Sequence, residues 1–150
     1  MRKRWVLAVL SAVGLLAAAA AILIALNPAP RVPLVSAGDS ASSQPYVIKL
    51  HARWCLICMT TKGAWAAVQQ DYAGRVRFVV FDFTSDATTE ASRIEAGRLG
   101  LGTVFEEYGG ETGTVLVLDG VAKEVRHALH GHRQAADYRA AIDATLAALR

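Results

Sequence analysis

Two cysteines constrain this chain more than any other feature. They are the only ones in 150 residues, and the run Trp54-Cys55-Leu56-Ile57-Cys58 sets them two residues apart. A strand-like stretch, Tyr46–His51 (YVIKLH), leads in, and a helix-like stretch, residues 55–72, leads out. The pair must therefore sit where a strand hands over to a helix. There the first sulfur lies at the helix start, where unpaired backbone N–H groups and the helix dipole favour a thiolate. The second, one turn on, can close a small ring with the first. Cys-x-x-Cys in this setting points to thiol–disulfide chemistry.

The periodicity separates the two sulfurs. Cys58, Thr61, Trp65, Val68 and Tyr72 follow a 3-4-3-4 spacing, so Cys58 heads the buried face and Cys55 stands before it at the accessible end. A purely structural disulfide is the bland alternative and is common in exported domains. A bridge across so small a loop restrains little chain entropy and adds little stability.

The segment LHARWCLICMTTKGAW resembles the active-site segment of thioredoxin-like proteins. It is most similar to exported members, such as the C-terminal domains of transmembrane thiol:disulfide interchange proteins. The resemblance runs from Tyr46 to the end of the chain. It implies an exchange reaction in which Cys55 attacks and Cys58 resolves, with Trp54, Gly113 and Thr114 on the rim and no cofactor. The implied partners are cysteine-containing exported proteins and a redox donor or acceptor. Leu56-Ile57 between the cysteines brings no polar group to a thiolate, which leans the reading toward a reductant.

The chain also departs from that family. Thioredoxin-like proteins place a cis-proline opposite the cysteines, but here no proline follows Pro45 and Gly113 falls at that place. A non-proline cis bond costs ~3 kcal/mol, so a trans bond and open space beside the sulfurs are expected. The family's partly buried acid, six residues before the first cysteine, is replaced by Lys49. Met59 stands for the common lysine after the second cysteine, and His51 for an aromatic residue.

The rest of the chain supplies location and architecture. Residues 1–4 are basic and residues 5–26 carry no charge. As a helix such a run is about 33 Å long, enough for a bilayer core. The preceding positive charges put the N-terminus in the cytoplasm and the remainder in the periplasm, as a single-pass inner-membrane protein. A cleaved signal peptide ending at Val35-Ser36-Ala37 is the rival, but the apolar run is long for that and the site lies far beyond it. Residues 27–45 hold all four prolines and read as a tether. The basic flank explains the net charge of +3, because residues 46–150 hold 12 basic and 12 acidic side chains. The charge therefore implies no nucleic-acid partner.

Within residues 46–150 the pattern predicts a first strand, the cysteine helix, and a near-continuous apolar strand at 75–82 of the kind buried at a sheet centre. A second helix capped by Ser85 or Asp86 should run to about Leu99, ended by Gly100. Residues 101–112 read as a glycine-rich, acidic loop with one turn near Phe105, its Glu106, Glu107 and Glu111 solvated. Residues 114–119 and 121–129 should form a hairpin across Asp119-Gly120. A closing helix, 134–149, should turn Tyr138, Ile142, Leu146 and Leu149 inward. The order βαβαββα gives an α/β fold, thioredoxin-like, with a central mixed sheet and helices on both faces after an N-terminal transmembrane helix.

Two other functions are weighed against exchange. His130-Gly131-His132 precedes the last helix, and with Cys55 and Cys58 these histidines could form a copper or zinc site in a metallochaperone. His127 lies nearby in sequence, and solvated turn histidines are the simpler account. The other is a non-catalytic thioredoxin-like binding module, against which retention of both cysteines argues.

Overall fold

A computed structural model describes residues 43–149. The expected anchor, the signal-peptide alternative and most of the tether lie outside the described residues. Among the described residues no helix is long and apolar enough to cross a membrane.

β1 (Tyr46–His51) pairs in parallel with β2 (Arg77–Asp82) and antiparallel with β3 (Thr114–Leu118). β4 (Val125–His130) pairs antiparallel with β3, giving the order β2-β1-β3-β4. The mixture follows from the connections. The parallel β1–β2 pair needs a helical crossover, whereas β3 and β4 are joined by a turn. Residue alternation along β1 and β3 then sorts side chains onto two faces. Tyr46, Ile48, Leu50, Leu116 and Leu118 enter one core, and Val47, Val115 and Val117 the other.

Helices cover both faces. α1 (Leu56–Thr60), α2 (Lys62–Asp71) and α5 (Ala135–Ala148) lie on the Val47 side, where Trp65, Val68, Tyr138 and Ile142 are buried. α3 (Asp86–Leu99) and α4 (Gly102–Tyr108) lie on the Ile48 side, contributing Ala96, Leu99, Val104 and Phe105. Fully burying one such large side chain contributes roughly 1.5–3 kcal/mol. Ser85 caps α3 through a reciprocal box with Thr88, and Gly100 ends it in the left-handed conformation at φ 68.

Five local expectations are corrected. The single cysteine helix is two, because Thr61 leaves regular helical geometry (φ −91, ψ −2) and its hydroxyl donates to the Cys58 carbonyl. Such back-bonding competes with the helical ladder and bends it. The strand expected at the sheet centre is at the edge among the described strands. It is apolar because Phe78 and Phe81 serve opposite cores, while Val80 is 45% exposed. The loop after Gly100 contains a seven-residue helix, α4, rather than one turn. Its Val104 and Phe105 are drawn under β1 and β2, and Phe105 stacks on Phe83. The hairpin turn is longer than two residues, since the strands stop at Leu118 and resume at Val125. The Asp119 carboxylate accepts from the N–H groups of Val121, Ala122 and Lys123 and winds the chain around itself. Leu149 is exposed, because it follows the last helical turn.

Candidate functional site

Cys55 is the N-cap of α1, not its first helical residue (φ −79, ψ 111). That extended backbone turns its sulfur back over the helix start, where Sγ accepts from the Cys58 N–H at 3.1 Å. The loop before it is fixed by the Cys55 N–H donating to the Ala52 carbonyl at 3.2 Å. Cys58, on the helix itself, places its Sγ 3.7 Å from the Leu50 carbonyl of β1. Both cysteines are free thiols.

The expected contrast in exposure is not the contrast found. Cys55 is only 6% exposed and Cys58 2%, because Ile57 and Phe83 pack against both with Ala52. The asymmetry lies in hydrogen bonding instead. Burial works against ionisation of Cys55, but donors outweigh it: the Cys58 thiol, the Thr112 hydroxyl, and the N–H groups of Cys58 and Ile57. Its pKa is held below the ordinary thiol value. For Cys58 burial raises the pKa, and so does its own bond to Cys55. An Ala52 backbone hydrogen bond and the charge of Lys49 oppose the rise without cancelling it. A thiolate forms first on Cys55.

Gly113 reaches the site from the neighbouring strand edge. Its N–H donates to the Leu50 carbonyl and its carbonyl accepts from Gly131. Its φ of 92 is in the range that favours glycine, and no cis peptide occurs among the described residues. The open space expected beside the sulfurs is filled. A Cβ on Gly113 would stand 2.6 Å from Ile57 Cγ2 and 3.6 Å from Cys55 Sγ. Thr114 is buried, and its hydroxyl pairs with His130 Nδ1 at 2.9 Å. Trp54, Leu56 and Met59 are more than half exposed and form an apolar rim.

His130 and His132 are not turned onto the sulfurs together. His132 Nδ1 pairs with Asp137 at 2.9 Å, and among the described residues no group of three or more His, Cys, Asp or Glu side chains is arranged to hold a metal. His127 pairs in register with Val117. His51 ends β1 opposite Asp82 in the parallel register, and its Nδ1 is buried without a hydrogen-bond partner.

Thr112 carries no signal in the sequence beyond its place beside Gly113, the residue facing the cysteines. Lys49 stands at the family's acid position, where a lysine either snorkels to the surface or lends its charge to a thiolate, and its surroundings depend on how β1 meets α1 and α2. It is 6% exposed, with Nζ 5.5 Å from the centroid of the Trp65 ring.

No family model matches the chain. A stretch of 46 residues, 31% of this chain, is 35% identical to the thiol:disulfide interchange protein TxlA of Synechococcus elongatus. The match covers 24% of that protein, so the chain spans about a quarter of the length of this curated relative. Among solved structures, a thioredoxin-like protein determined in solution in its oxidized form superposes with a TM-score of 0.52 at 14% identity. That match covers 76% of this chain and 85% of the other. A thiol:disulfide interchange protein of the thioredoxin family from Chlorobium tepidum gives a TM-score of 0.47 at 23% identity, covering 69% and 81%. With its mixed sheet, its helices on both faces and a Cys-x-x-Cys pair where β1 passes into α1, the chain has a thioredoxin-like fold.

Proposed function

We propose that this protein is a thiol:disulfide oxidoreductase. One observation carries the reading: the donors around Cys55 favour its thiolate, while burial and the bond to Cys55 keep the proton on Cys58. The Cys55 thiolate attacks a partner disulfide, forms a mixed disulfide and releases one partner thiolate. Cys58, once ionised, attacks Cys55 Sγ, forms the Cys55–Cys58 disulfide and releases the second partner thiolate. Two electrons pass to the partner, and no cofactor is needed.

The direction is reducing. An oxidant's site stabilises its reduced form through a very acidic first thiol, and here Leu56 and Ile57 add no side-chain donor to the Cys55 thiolate. The apolar rim of Trp54, Leu56 and Met59 suits cysteine-bearing segments with apolar neighbours. The site acts outside the cytoplasm, tethered by the apolar run at residues 5–26, on exported proteins. The basic flank and uncharged run of residues 1–26 support this placement, and the likeness of one segment to an interchange protein supports the exchange reaction.

The test is insulin disulfide reduction by the full-length chain, followed by its reduction potential. Turnover with a potential near −270 mV fits a reductase, and a value near −120 mV marks an oxidant instead. No turnover in either direction contradicts the reading.

A further inference from the structure

Cys55 has to meet a partner sulfur, yet it is buried in the resting site. Attack on a disulfide needs contact between the thiolate and one sulfur of the pair, so its rate depends on access. Some group that covers Cys55 must therefore give way. The covers come from four places: Ala52, Ile57, Phe83 after β2, and the Thr112-Gly113 edge before β3.

Three of these are held. Phe83 is stacked on Phe105, with ring centroids 5.3 Å apart. The Gly113 N–H donates to the Leu50 carbonyl at 2.8 Å, its carbonyl accepts from Gly131 at 3.1 Å, and the Thr112 hydroxyl donates to Cys55. Ala52 accepts from the Cys55 N–H and has only a methyl, with no rotamer to change. The backbone of Ile57 is held as well. Its N–H donates to Cys55 Sγ, and its carbonyl accepts from the Thr61 N–H and the Thr60 hydroxyl. The Ile57 side chain is the exception, half-buried and bound by packing alone.

That side chain lies in a hollow that glycine leaves. A Cβ at Gly113 would stand 2.6 Å from Ile57 Cγ2 and 2.9 Å from its Cβ, and one at Gly131 would stand 3.8 Å from Cγ2. The same point above Gly113 is 3.6 Å from Cys55 Sγ, so the methyl settles against the edge beside the sulfur. A β-branched side chain on a helix has one strongly preferred χ1 rotamer. Ile57 therefore gives way only at a cost.

On the footing of the exchange reaction above, we propose that Ile57 determines which disulfides reach Cys55. It admits an uncrowded disulfide, whose sulfur is carried on a CH2 group of a flexible chain. It turns away one whose sulfur is crowded by its own neighbouring carbon atoms. As the partner sulfur enters, the Ile57 side chain rotates off the Gly113–Gly131 edge while its N–H stays on Cys55 Sγ. The bond from Cys55 to the partner sulfur forms, the partner's own S–S bond breaks, and the electron pair leaves on the second sulfur. Ile57 takes no part in that transfer, so it governs access and not the acidity of Cys55.

The test compares cystine with penicillamine disulfide, which bears the same charges but has two methyl groups on the carbon next to each sulfur. The reduced full-length chain is mixed with an excess of each, and the released thiol is counted against time after acid quenching. Glutathione, run alongside, gives the preference that an uncovered thiol shows between the two. Wild type should prefer cystine by about tenfold or more beyond that, from the cost of a crowded fit. Ile57→Ala should lose most of the excess by speeding the reaction with penicillamine disulfide, with the thiolate titration of Cys55 unchanged. Ile57→Val, which keeps the branch over Gly113, should retain the wild-type preference. If Ile57→Ala changes both rates alike, or if wild type shows only the preference of glutathione, Ile57 is no selector. If wild type reduces neither disulfide, the exchange reaction itself fails and the selector falls with it. That outcome is distinct from a wild type that reduces both with no added preference.

Discussion

Among the described residues, the two buried charged side chains occupy opposite ends of the strands and are treated in opposite ways. Asp119 is answered in full: three backbone N–H groups donate to Oδ1, and the Arg126 guanidinium makes two hydrogen bonds to Oδ2. Lys49 has the face of Trp65 and two sulfurs whose charge depends on the reaction. A buried charge with every lone pair occupied holds a turn in one shape. One with a changeable partner costs stability in the resting state and is retained for something else. The far end of the sheet is built to stay as it is. The cysteine end is built around sulfurs whose charge changes in the exchange reaction.

The largest test of that contrast removes the changeable partner. Cys55→Ser should lower insulin reduction to background and trap no partner, whereas Cys58→Ser should accumulate a stable mixed disulfide through Cys55. Equal trapping by the two variants would erase the distinction between the sulfurs.

At the far end the expected loss is in stability and not in turnover. Asp119→Asn should cost about 1–3 kcal/mol near neutral pH with reductase activity unchanged, as read by urea denaturation. Burial opposes ionisation of Asp119, but its backbone donors and Arg126 hold its pKa below the ordinary carboxylate value of 3.8. The depressed value fixes the sign: wild type has the full advantage above the unfolded pKa and loses it as pH falls through the folded one. The gap between wild type and Asp119→Asn should therefore close in acid. A gap that widens in acid would contradict the assignment.

Gly113→Ala places a methyl against Ile57 at the cysteine end, in a backbone conformation that alanine rarely adopts. It should destabilise by about 1–3 kcal/mol. Adding Ile57→Ala should recover the steric part and leave the backbone part. The smallest effect belongs to the histidines. His130→Ala with His132→Ala should leave insulin reduction within about threefold, under ~1 kcal/mol of barrier, since their side chains pair with Thr114 and Asp137.

What could be read in the sequence follows the range of the interactions involved. Strands β1 and β3, the Ser85 cap, Gly100 and the place of the Cys-x-x-Cys pair are written in neighbouring residues, and each stands where the pattern puts it. The edge position of β2 was not legible, because an apolar run looks the same at a centre or at an edge covered on both faces. Helix α4 was hidden by the glycines on either side of a short segment held by Phe105 packing. The long turn depends on one carboxylate capturing three amides, which Asp119-Gly120 alone does not disclose. At the site, the identity of the sulfurs and the burial of Cys58 are readable in the helical spacing, but the burial of Cys55 is not. Thr112 and Lys49 reach them only after β1, α1 and the strand edge at Gly113 have come together.

The most direct measurement is the ionisation of each sulfur alone, followed by thiolate absorbance against pH in Cys58→Ser and Cys55→Ser. The account predicts that Cys55 ionises below the ordinary thiol value of 9.0 and Cys58 above it, with burial as the leading cause for Cys58 and its donors prevailing over burial for Cys55. If Cys58 ionises at the lower pH, or the two titrate together, the sulfurs do not have the separate roles assigned to them.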